Sequence, residues 1–273
     1  FVPSRGLGDV YKRQEEHQGS FDVDEGIRTF CQSPEISAVA SGEEALWIDG
    51  GFEDCDTTFT ARLCQAGEGR LSLQIDAASA DYITLRPASS GSEMIFGMGE
   101  QFPHDSLDLK GRAIPSLAQE GGIGRGHAII TPAVELASEG SGGSEETTYY
   151  AAPHYLTSQE RSVFLEDTEY ALFDFTEDDH TDIRLFSSQM NAQLLYGTEP
   201  LELIERFTDY TGRMPPLPDW VNQGAIVALA RELDESAEIV ADLLDAGAAI
   251  GGVWNQTWSG VNETYIGEQV LWN

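Results

Sequence analysis

Lysine is almost missing from this chain of 273 residues, in which Lys12 and Lys110 are the only two. Lysine and arginine together number 15 against 47 aspartates and glutamates, so the formal net charge is −32. So few cations argue against nucleic acid and anionic membranes as partners. An acidic, lysine-poor chain is typical of proteins from high-salt environments, where salt screens like-charge repulsion. An ordinary acidic exported protein is the alternative.

Long apolar runs and paired cysteines are missing too. No stretch approaches the ~20 apolar residues that a membrane-spanning helix needs, so we expect a soluble protein, with the cytoplasm as its compartment. Cys31, Cys55 and Cys64 form no C-x-x-C pair and no zinc-ligand spacing, so we expect no metal site. A disulfide between Cys55 and Cys64 on neighbouring strands is one alternative, but we expect free, buried thiols.

Common catalytic motifs are absent from the sequence. It has no G-x-S-x-G nucleophile elbow and no H-E-x-x-H metal motif. The glycines of GGIGRG (121–126) resemble a dinucleotide-binding loop, but the loop follows a polar segment and we expect no helix after it. We therefore expect no cofactor and find no catalytic constellation in the chain.

Residues 1–14 differ from the rest in charge. Arg5, Lys12 and Arg13 outnumber Asp9, and the segment lacks the apolar stretch of a signal peptide. GLGDVYKRQ is similar to a leader that recurs in translated environmental assemblies, so we interpret residues 1–14 as non-native. An export signal is then neither visible nor excluded.

Residues 15–212 have the pattern of a mainly β domain. Short alternating runs separated by Gly- and Asp-containing turns indicate a β-sandwich. The runs that predict strands are residues 45–52, 58–65, 70–76, 82–88, 93–100, 127–136, 147–158, 162–167, 170–175 and 182–188.

The pattern changes in residues 213–273. A proline-rich connector is followed by a predicted strand buried on both faces (222–230), an amphipathic helix (232–250) and a second buried strand (251–258). Strand, helix and strand in this order predict a βαβ unit of a parallel sheet. One unit cannot close a barrel, so we expect a truncated chain that ends early in a (β/α)8 barrel.

Polar and aromatic residues follow the second predicted strand. Gln256, Thr257 and Trp258 stand at its end, and Gln269 and Trp272 come next. Residues at the carboxyl ends of barrel strands line the active site. Because amides bind sugar hydroxyls and indole rings stack on pyranose faces, this set predicts carbohydrate binding. The alternative is that the tryptophans, including Trp254 within the strand, belong to the core.

Three segments carry a specific order of motifs. They are FGMGEQF (96–102) with LKGRAIPSLAQEGGIGRG (109–126), MPPLPDWVNQGAIVAL (214–229), and GGVWNQTWSGVNETYIGEQVLWN (251–273). In order and spacing they resemble glycoside hydrolase family 31, in the branch of bacterial sulfoquinovosidases and related α-glucosidases. The resemblance implies a galactose mutarotase-like β-sandwich, then a catalytic barrel, and a retaining α-glycosidase with two catalytic aspartates. It places both aspartates beyond Asn273, so we expect the chain alone to be inactive.

The resemblance also bears on the substrate. In the sulfoquinovosidase pattern the second-strand motif reads Q-D-W-S-G, followed by an Arg and a Trp that bind the sulfonate. Gln256, Trp258 and Trp272 match this pattern, whereas Thr257 replaces the Asp and Gln269 replaces the Arg. Losing a fixed positive charge weakens an anion site, since charge-assisted hydrogen bonds are roughly twice as strong as neutral ones. We expect an α-linked carbohydrate as partner, either an α-glucoside or a sulfoquinovoside-like compound.

Two other functions are compatible with these residues. One is a non-catalytic carbohydrate-binding module, which is disfavoured because we would not expect such a module to end within a barrel. The other is an inactive family member that senses sugar, which the missing Asp and Arg support. Nothing in the sequence bears on the oligomeric state.

Overall fold

The fold was derived from a computed structural model that describes residues 2–4, 13–17, 19–26, 30–43, 45–229, 233–255, 261–264 and 267–270. The chain divides into two compact units, Phe1–Thr211 and Gly212–Asn273. Within the described ranges, no helix has the length and apolar character needed to cross a membrane.

The first unit is mainly β, as predicted. Its described strands are β1 (Val2–Ser4), β2 (Arg13–His17), β3 (Ser20–Asp24), β4 (Pro34–Ser41), β5 (Ala45–Phe52), β6 (Cys55–Gly67), β7 (Arg70–Asp76), β8 (Tyr82–Leu85), β9 (Ile95–Gly99), β10 (Ala113–Ser116), β11 (Ala151–Thr157), β12 (Arg161–Leu165), β13 (Ala171–Asp174), β14 (Asp182–Leu185) and β15 (Gln189–Tyr196). Apart from the β2–β3 hairpin, the described strands form two antiparallel sheets. Their orders are β4-β5-β6-β7-β15-β12-β11-β9 and β1-β8-β14-β13-β10.

Alternation of residue types explains how the two sheets share one core. Along β6, Phe59 and Ala61 are buried, whereas Thr60 and Arg62 between and after them are exposed. A side-chain period of two places every second residue on the same face of a strand. Both sheets contribute to a single buried hydrophobic cluster, which includes Ile75 and Met190 from the larger sheet and Phe173 and Ile183 from the smaller one.

The predicted strand at residues 127–136 is wrong, because this segment forms helix α1 (Ile130–Ala137). The Nδ1 atom of His127 lies 3.2 Å from the backbone nitrogen of Ile129 and 3.3 Å from that of Ile130, and accepts both N–H groups. These are donors that a helix start leaves without partners. Local bonding therefore outweighs the strand propensity of the β-branched residues.

A helix thus follows GGIGRG, contrary to the prediction. The dinucleotide interpretation still fails, because β10 before the loop pairs antiparallel with β13. The strand after α1, β11, belongs to the other sheet. The loop and helix therefore do not form the parallel βαβ unit that a dinucleotide site requires.

Helix α2 (Pro200–Thr211) was not predicted from the sequence. Leu203 and Phe207 are four residues apart and share one face of the helix. Leu203 is fully buried, and Phe207 stacks on His154 of β11. The helix therefore covers part of the larger sheet, where it contacts β11 and β15.

The cysteines also correct the prediction. Cys31 and Cys55 form a disulfide, whereas Cys64 is a free thiol. Cys55 and Cys64 lie on the same strand, β6, where nine residues of extended chain separate them by about 30 Å. That distance far exceeds the Cα–Cα separation of roughly 4.4–6.8 Å that a disulfide spans.

The second unit contains the predicted strand–helix–strand order. Its described elements are a 3-10 helix (Asp219–Asn222), β16 (Ala225–Leu229), α3 (Leu233–Asp245), β17 (Ile250–Asn255), β18 (Val261–Thr264) and β19 (Gly267–Val270). β16 and β17 are parallel, with Val227 opposite Val253, and β18 and β19 form an antiparallel hairpin.

Burial of both predicted strands on two faces is not observed. Ile226 is 53% exposed and Trp254 is 63% exposed, so the assignment of Trp254 to the core is wrong for the structure described. The reason is that β16 and β17 pair only with each other among the described strands. A two-stranded sheet leaves apolar side chains in solvent that a larger parallel sheet would bury.

Candidate functional site

The predicted carbohydrate-binding residues begin where β17 ends. Four of the five lie outside the described residues: Gln256, Thr257, Trp258 and Trp272. Gln269 lies on β19, where its backbone pairs with Asn262 of β18, and its side chain is outside the described set. Their association in one site therefore stays a prediction.

The strand end that precedes these residues is anchored to helix α3. Asn255, the last residue of β17, donates a hydrogen bond from Nδ2 to the Oγ of Ser236 over 2.8 Å. Ser236 is 4% exposed, so the bond lies in a protected environment. Because β16 and β17 run parallel, Leu229 stands opposite Asn255 and the carboxyl ends of both strands meet at one edge. Ligands of parallel α/β sheets bind at this edge.

The first signature segment, FGMGEQF, forms a bulged strand end. Gly97, Met98 and Gly99 all have positive φ, at 126°, 64° and 84°. A Cβ atom on Gly99 would lie 2.2 Å from the carbonyl oxygen of Tyr150, so only glycine fits there. The register between β9 and β11 shifts at this point, as in a β-bulge. The glycines of this segment thus have a backbone role.

The loop after this bulge is held to GGIGRG by the side chain and backbone of Arg125. The guanidinium carbon of Arg125 lies 3.5 Å from the ring centroid of Phe102. The backbone carbonyl oxygen of Arg125 lies 2.8 Å from the Nε2 atom of His104, and this contact fixes the ring of that histidine. The two parts of the first resembling segment, residues 96–102 and 109–126, are thereby in direct contact, which sequence spacing alone did not indicate.

Arg112 joins the same loops through ion pairs. Its guanidinium pairs with Asp105 and with Glu145, which lies just before β11. Nearby, the hydroxyl of Tyr149 donates to the Oε2 of Glu120 over 2.6 Å, and this hydrogen bond raises the pKa of Tyr149. These contacts order a layer of irregular loops that the strand pattern could not predict.

Comparison with known proteins identifies the wider relationship. No protein-family model matches the chain. It is 26% identical to a sulfoquinovosidase of Escherichia coli (strain K12) over 238 residues, which cover 86% of this chain and 35% of the relative. It is 25% identical to a sulfoquinovosidase of Agrobacterium fabrum over 277 residues, covering 98% of this chain and 39% of the relative. A solved family 31 sulfoquinovosidase from E. rectale matches the entire chain with a TM-score of 0.82, at 23% identity and over 39% of its own length.

The resemblance to glycoside hydrolase family 31 is confirmed. The fold similarity extends over both compact units, because the match to the solved structure covers the whole chain. The chain itself spans little more than a third of the curated relatives, 35% and 39% of their lengths.

One buried carboxylate of the chain invites comparison with a catalytic acid. Glu93 has a side chain that is 1% exposed, and it accepts hydrogen bonds from Nε and Nη2 of Arg161 at 2.9 and 2.6 Å. Desolvation raises the pKa of Glu93, but the hydrogen bonds from Arg161, Thr157 and Ser89 outweigh it and lower the pKa to about 2. A carboxylate so fully bonded is a structural group, since a general acid needs a pKa near the working pH.

The described ranges of the chain contain no group of three or more His, Cys, Asp or Glu side chains arranged to hold a metal ion.

Proposed function

We propose that the chain is the amino-terminal part of a retaining α-glycosidase of family 31. Residues 15–212 then form its galactose mutarotase-like β-sandwich, and residues 213–273 begin its catalytic (β/α)8 barrel. The observation that carries the proposal is the similarity to a sulfoquinovosidase along the whole chain, through both compact units. The parallel β16–α3–β17 unit, with polar and aromatic residues after its last strand, supports it further.

In this proposal the chain supplies one wall of the substrate pocket and no catalytic group. Two aspartates beyond residue 273 would act as nucleophile and as general acid/base, and retaining enzymes hold such carboxyls ~5 Å apart. Gln256 would bind sugar hydroxyls, and Trp258 and Trp272 would stack on the apolar face of the ring. The Asn255–Ser236 hydrogen bond would hold this wall in place.

The substrate is an α-linked glycoside, and Gln269 bears on its charge. Both curated relatives described above are sulfoquinovosidases by name. A glutamine at the position of the sulfonate-binding arginine offers a neutral amide in place of a cation. We therefore propose a neutral α-glucoside as a substrate alongside a sulfoquinovoside-like compound.

The test is release of 4-nitrophenol from 4-nitrophenyl α-glucoside and from 4-nitrophenyl α-sulfoquinovoside by the full-length protein. We expect hydrolysis with retention of anomeric configuration, and no hydrolysis by the 273-residue chain alone. A full-length protein that binds these sugars without hydrolysing them would be a sugar sensor instead. A strong preference for the sulfonated compound would refute the role assigned to Gln269.

A further inference from the structure

We propose a second carbohydrate-binding surface on the outer face of the larger sheet, centred on Trp47 of β5. It lies within the first unit and does not depend on the proposed glycosidase function. The sheet carries here a shallow depression of about 300 Å³, lined by Trp47 and by polar side chains from four adjacent strands.

Besides the buried Ala61 and Ile75, the lining residues form two rows across β5, β6, β7 and β15. In the first row, Trp47 lies opposite Arg62, Arg62 opposite Gln74, and Gln74 opposite Asn191. The second row lies two residues further along each strand and contains Asp49, Thr60, Asp76 and Gln189. We call these eight residues the polar array.

Because successive side chains of a strand point to opposite faces of the sheet, the whole array faces solvent. The residues between its members, such as Ala61, Ile75 and Met190, are buried in the core on the opposite face. Helix α2 covers the same sheet at β11 and β15, yet Trp47 is 41% exposed. Its exposed part lies among polar side chains, so it offers an apolar surface on which a sugar ring can stack beside groups that bind the sugar hydroxyls.

Hydrogen bonds within the array fix its side chains before any ligand arrives. Gln189 donates from Nε2 to the Oδ2 of Asp76 over 2.8 Å, and Gln74 donates from Nε2 to the Oδ1 of Asn191 over 3.3 Å. Asn191 also donates from Nδ2 to Asp167 over 2.9 Å. Side chains ordered in this way lose less conformational entropy on binding.

The chemistry of the array matches a neutral oligosaccharide. Asp49 and Asp76 accept hydrogen bonds from hydroxyls, whereas Arg62 and the amides of Gln74 and Gln189 donate them. The guanidinium carbon of Arg62 lies 5.8 Å from the ring centroid of Trp47, which places a donor beside a stacking surface. Two aspartates next to a single arginine disfavour anionic ligands such as nucleic acid or sulfated glycans.

The dimensions agree with a ligand of several sugar rings. Four adjacent strands at about 4.8 Å spacing give an array about 14 Å long, and two residues along a strand give a width of about 7 Å. Trp47 is the one apolar side chain of the lining that is not buried, which is too little for a typical protein interface, whose core is rich in aromatic and aliphatic groups.

Affinity electrophoresis of the 273-residue chain tests the proposal, with native gels that contain soluble starch, dextran or galactomannan. We expect at least one of these neutral polysaccharides to retard the chain. Trp47→Ala should weaken the retardation about tenfold, as the loss of an aromatic stack does. Tyr196→Ala, which removes a more exposed aromatic at the far end of β15, outside the array, should leave it unchanged.

Further variants separate this surface from the predicted pocket and from misfolding. Trp258→Ala should keep the retardation, because Trp258 belongs to the second unit. Gln189→Ala should weaken it without changing the circular dichroism spectrum, so the proposal stays testable if Trp47→Ala fails to fold. Absence of retardation in all three gels, or equal retardation of Trp47→Ala and the unaltered chain, would overturn the proposal. Loss of retardation in Trp258→Ala would overturn it too.

Discussion

The imidazole ring of His154 lies flat against the phenyl ring of Phe207, with centroids 3.8 Å apart and planes inclined by 7°. His154 belongs to β11 and Phe207 to α2, so the stack fastens the helix to the sheet. The Nε2 atom of His154 also lies within 2.8 Å of the Oγ of Ser162. Burial lowers the pKa of His154 to about 4, so the folded protein carries this ring uncharged at neutral pH.

Because burial lowers the pKa of His154, the free energy of unfolding depends on pH. An unfolded histidine titrates near pH ~6.5, so between about pH 6.5 and 4 the unfolded chain binds the proton and the folded chain does not. The contribution of His154 is therefore fully present above pH ~6.5 and is lost as the pH falls towards 4. The difference in pKa corresponds to at most about 3 kcal/mol.

Urea unfolding at several pH values between 4 and 7 measures this effect. His154→Phe keeps an aromatic ring against Phe207 but cannot take up a proton. The free energy of unfolding of the variant should fall less steeply with decreasing pH than that of the unaltered chain. All other titrating groups are the same in the two proteins, so the difference between the slopes reports on His154. Identical slopes would contradict the prediction.

The disulfide between Cys31 and Cys55 should contribute to stability through the unfolded state. It closes a loop with a sequence separation of 24 residues. The closed loop lowers the conformational entropy of the unfolded chain, which raises the free energy of unfolding by about 3 kcal/mol. Replacing both cysteines by serine should lower the free energy of unfolding by about that amount in urea titrations. Cys64→Ser is the matched control, because Cys64 is unpaired and half-buried. Titration of three thiols in the denatured, unreduced chain would show that the bond is absent.

Strand prediction succeeded where residue alternation is purely local. β5, β6 and β7 follow the predicted runs because each alternates core and solvent residues. Prediction failed where distant or side-chain contacts decide the structure. His127 caps α1, and the Phe207–His154 stack stabilises α2 through a contact 53 residues away in the chain. The Cys31–Cys55 pairing likewise depends on how the strands meet.

The same distinction between local patterns and tertiary contacts applies to the candidate site. The strand that leads to Gln256 was predicted as the second strand of a parallel βαβ unit, and its parallel pairing with β16 is observed. The Asn255–Ser236 bond was not predicted, because an amide at a strand end and a serine on a helix carry no local pattern that links them. The contact between Arg125 and Phe102 is another tertiary contact without a sequence signal.

The net charge of −32 predicts that salt stabilises the fold. Like charges repel more strongly in the compact state, and the screening length falls from about 10 Å at 0.1 M salt to about 3 Å at 1 M. We expect the midpoint of thermal unfolding to rise by several degrees between 0.1 and 2 M KCl. Sucrose at matched osmolality controls for solvent exclusion. A midpoint that falls or stays constant with KCl would argue against adaptation to saline surroundings.

Trp258 should contribute stacking energy to substrate binding in the full-length protein. Trp258→Ala should weaken binding of an aryl α-glucoside by ~1–2 kcal/mol, which raises KM by roughly five- to thirtyfold. Trp220→Ala, at an exposed tryptophan in the 3-10 helix, provides the comparison. Normal folding with unchanged kinetics would assign Trp258 to the core.

Gln269 should set the balance between neutral and anionic substrates. In the full-length protein, Gln269→Arg introduces a planar cation that can form charge-assisted bonds with a sulfonate. The ratio of kcat/KM for aryl α-sulfoquinovoside to that for aryl α-glucoside should rise about tenfold, since such bonds are roughly twice as strong as neutral ones. Gln269→Lys supplies the charge without the planar fork and should raise the ratio less, whereas Gln269→Met should not raise it. An unchanged ratio in Gln269→Arg would place this residue outside the pocket, and the substrate would then be decided by other residues.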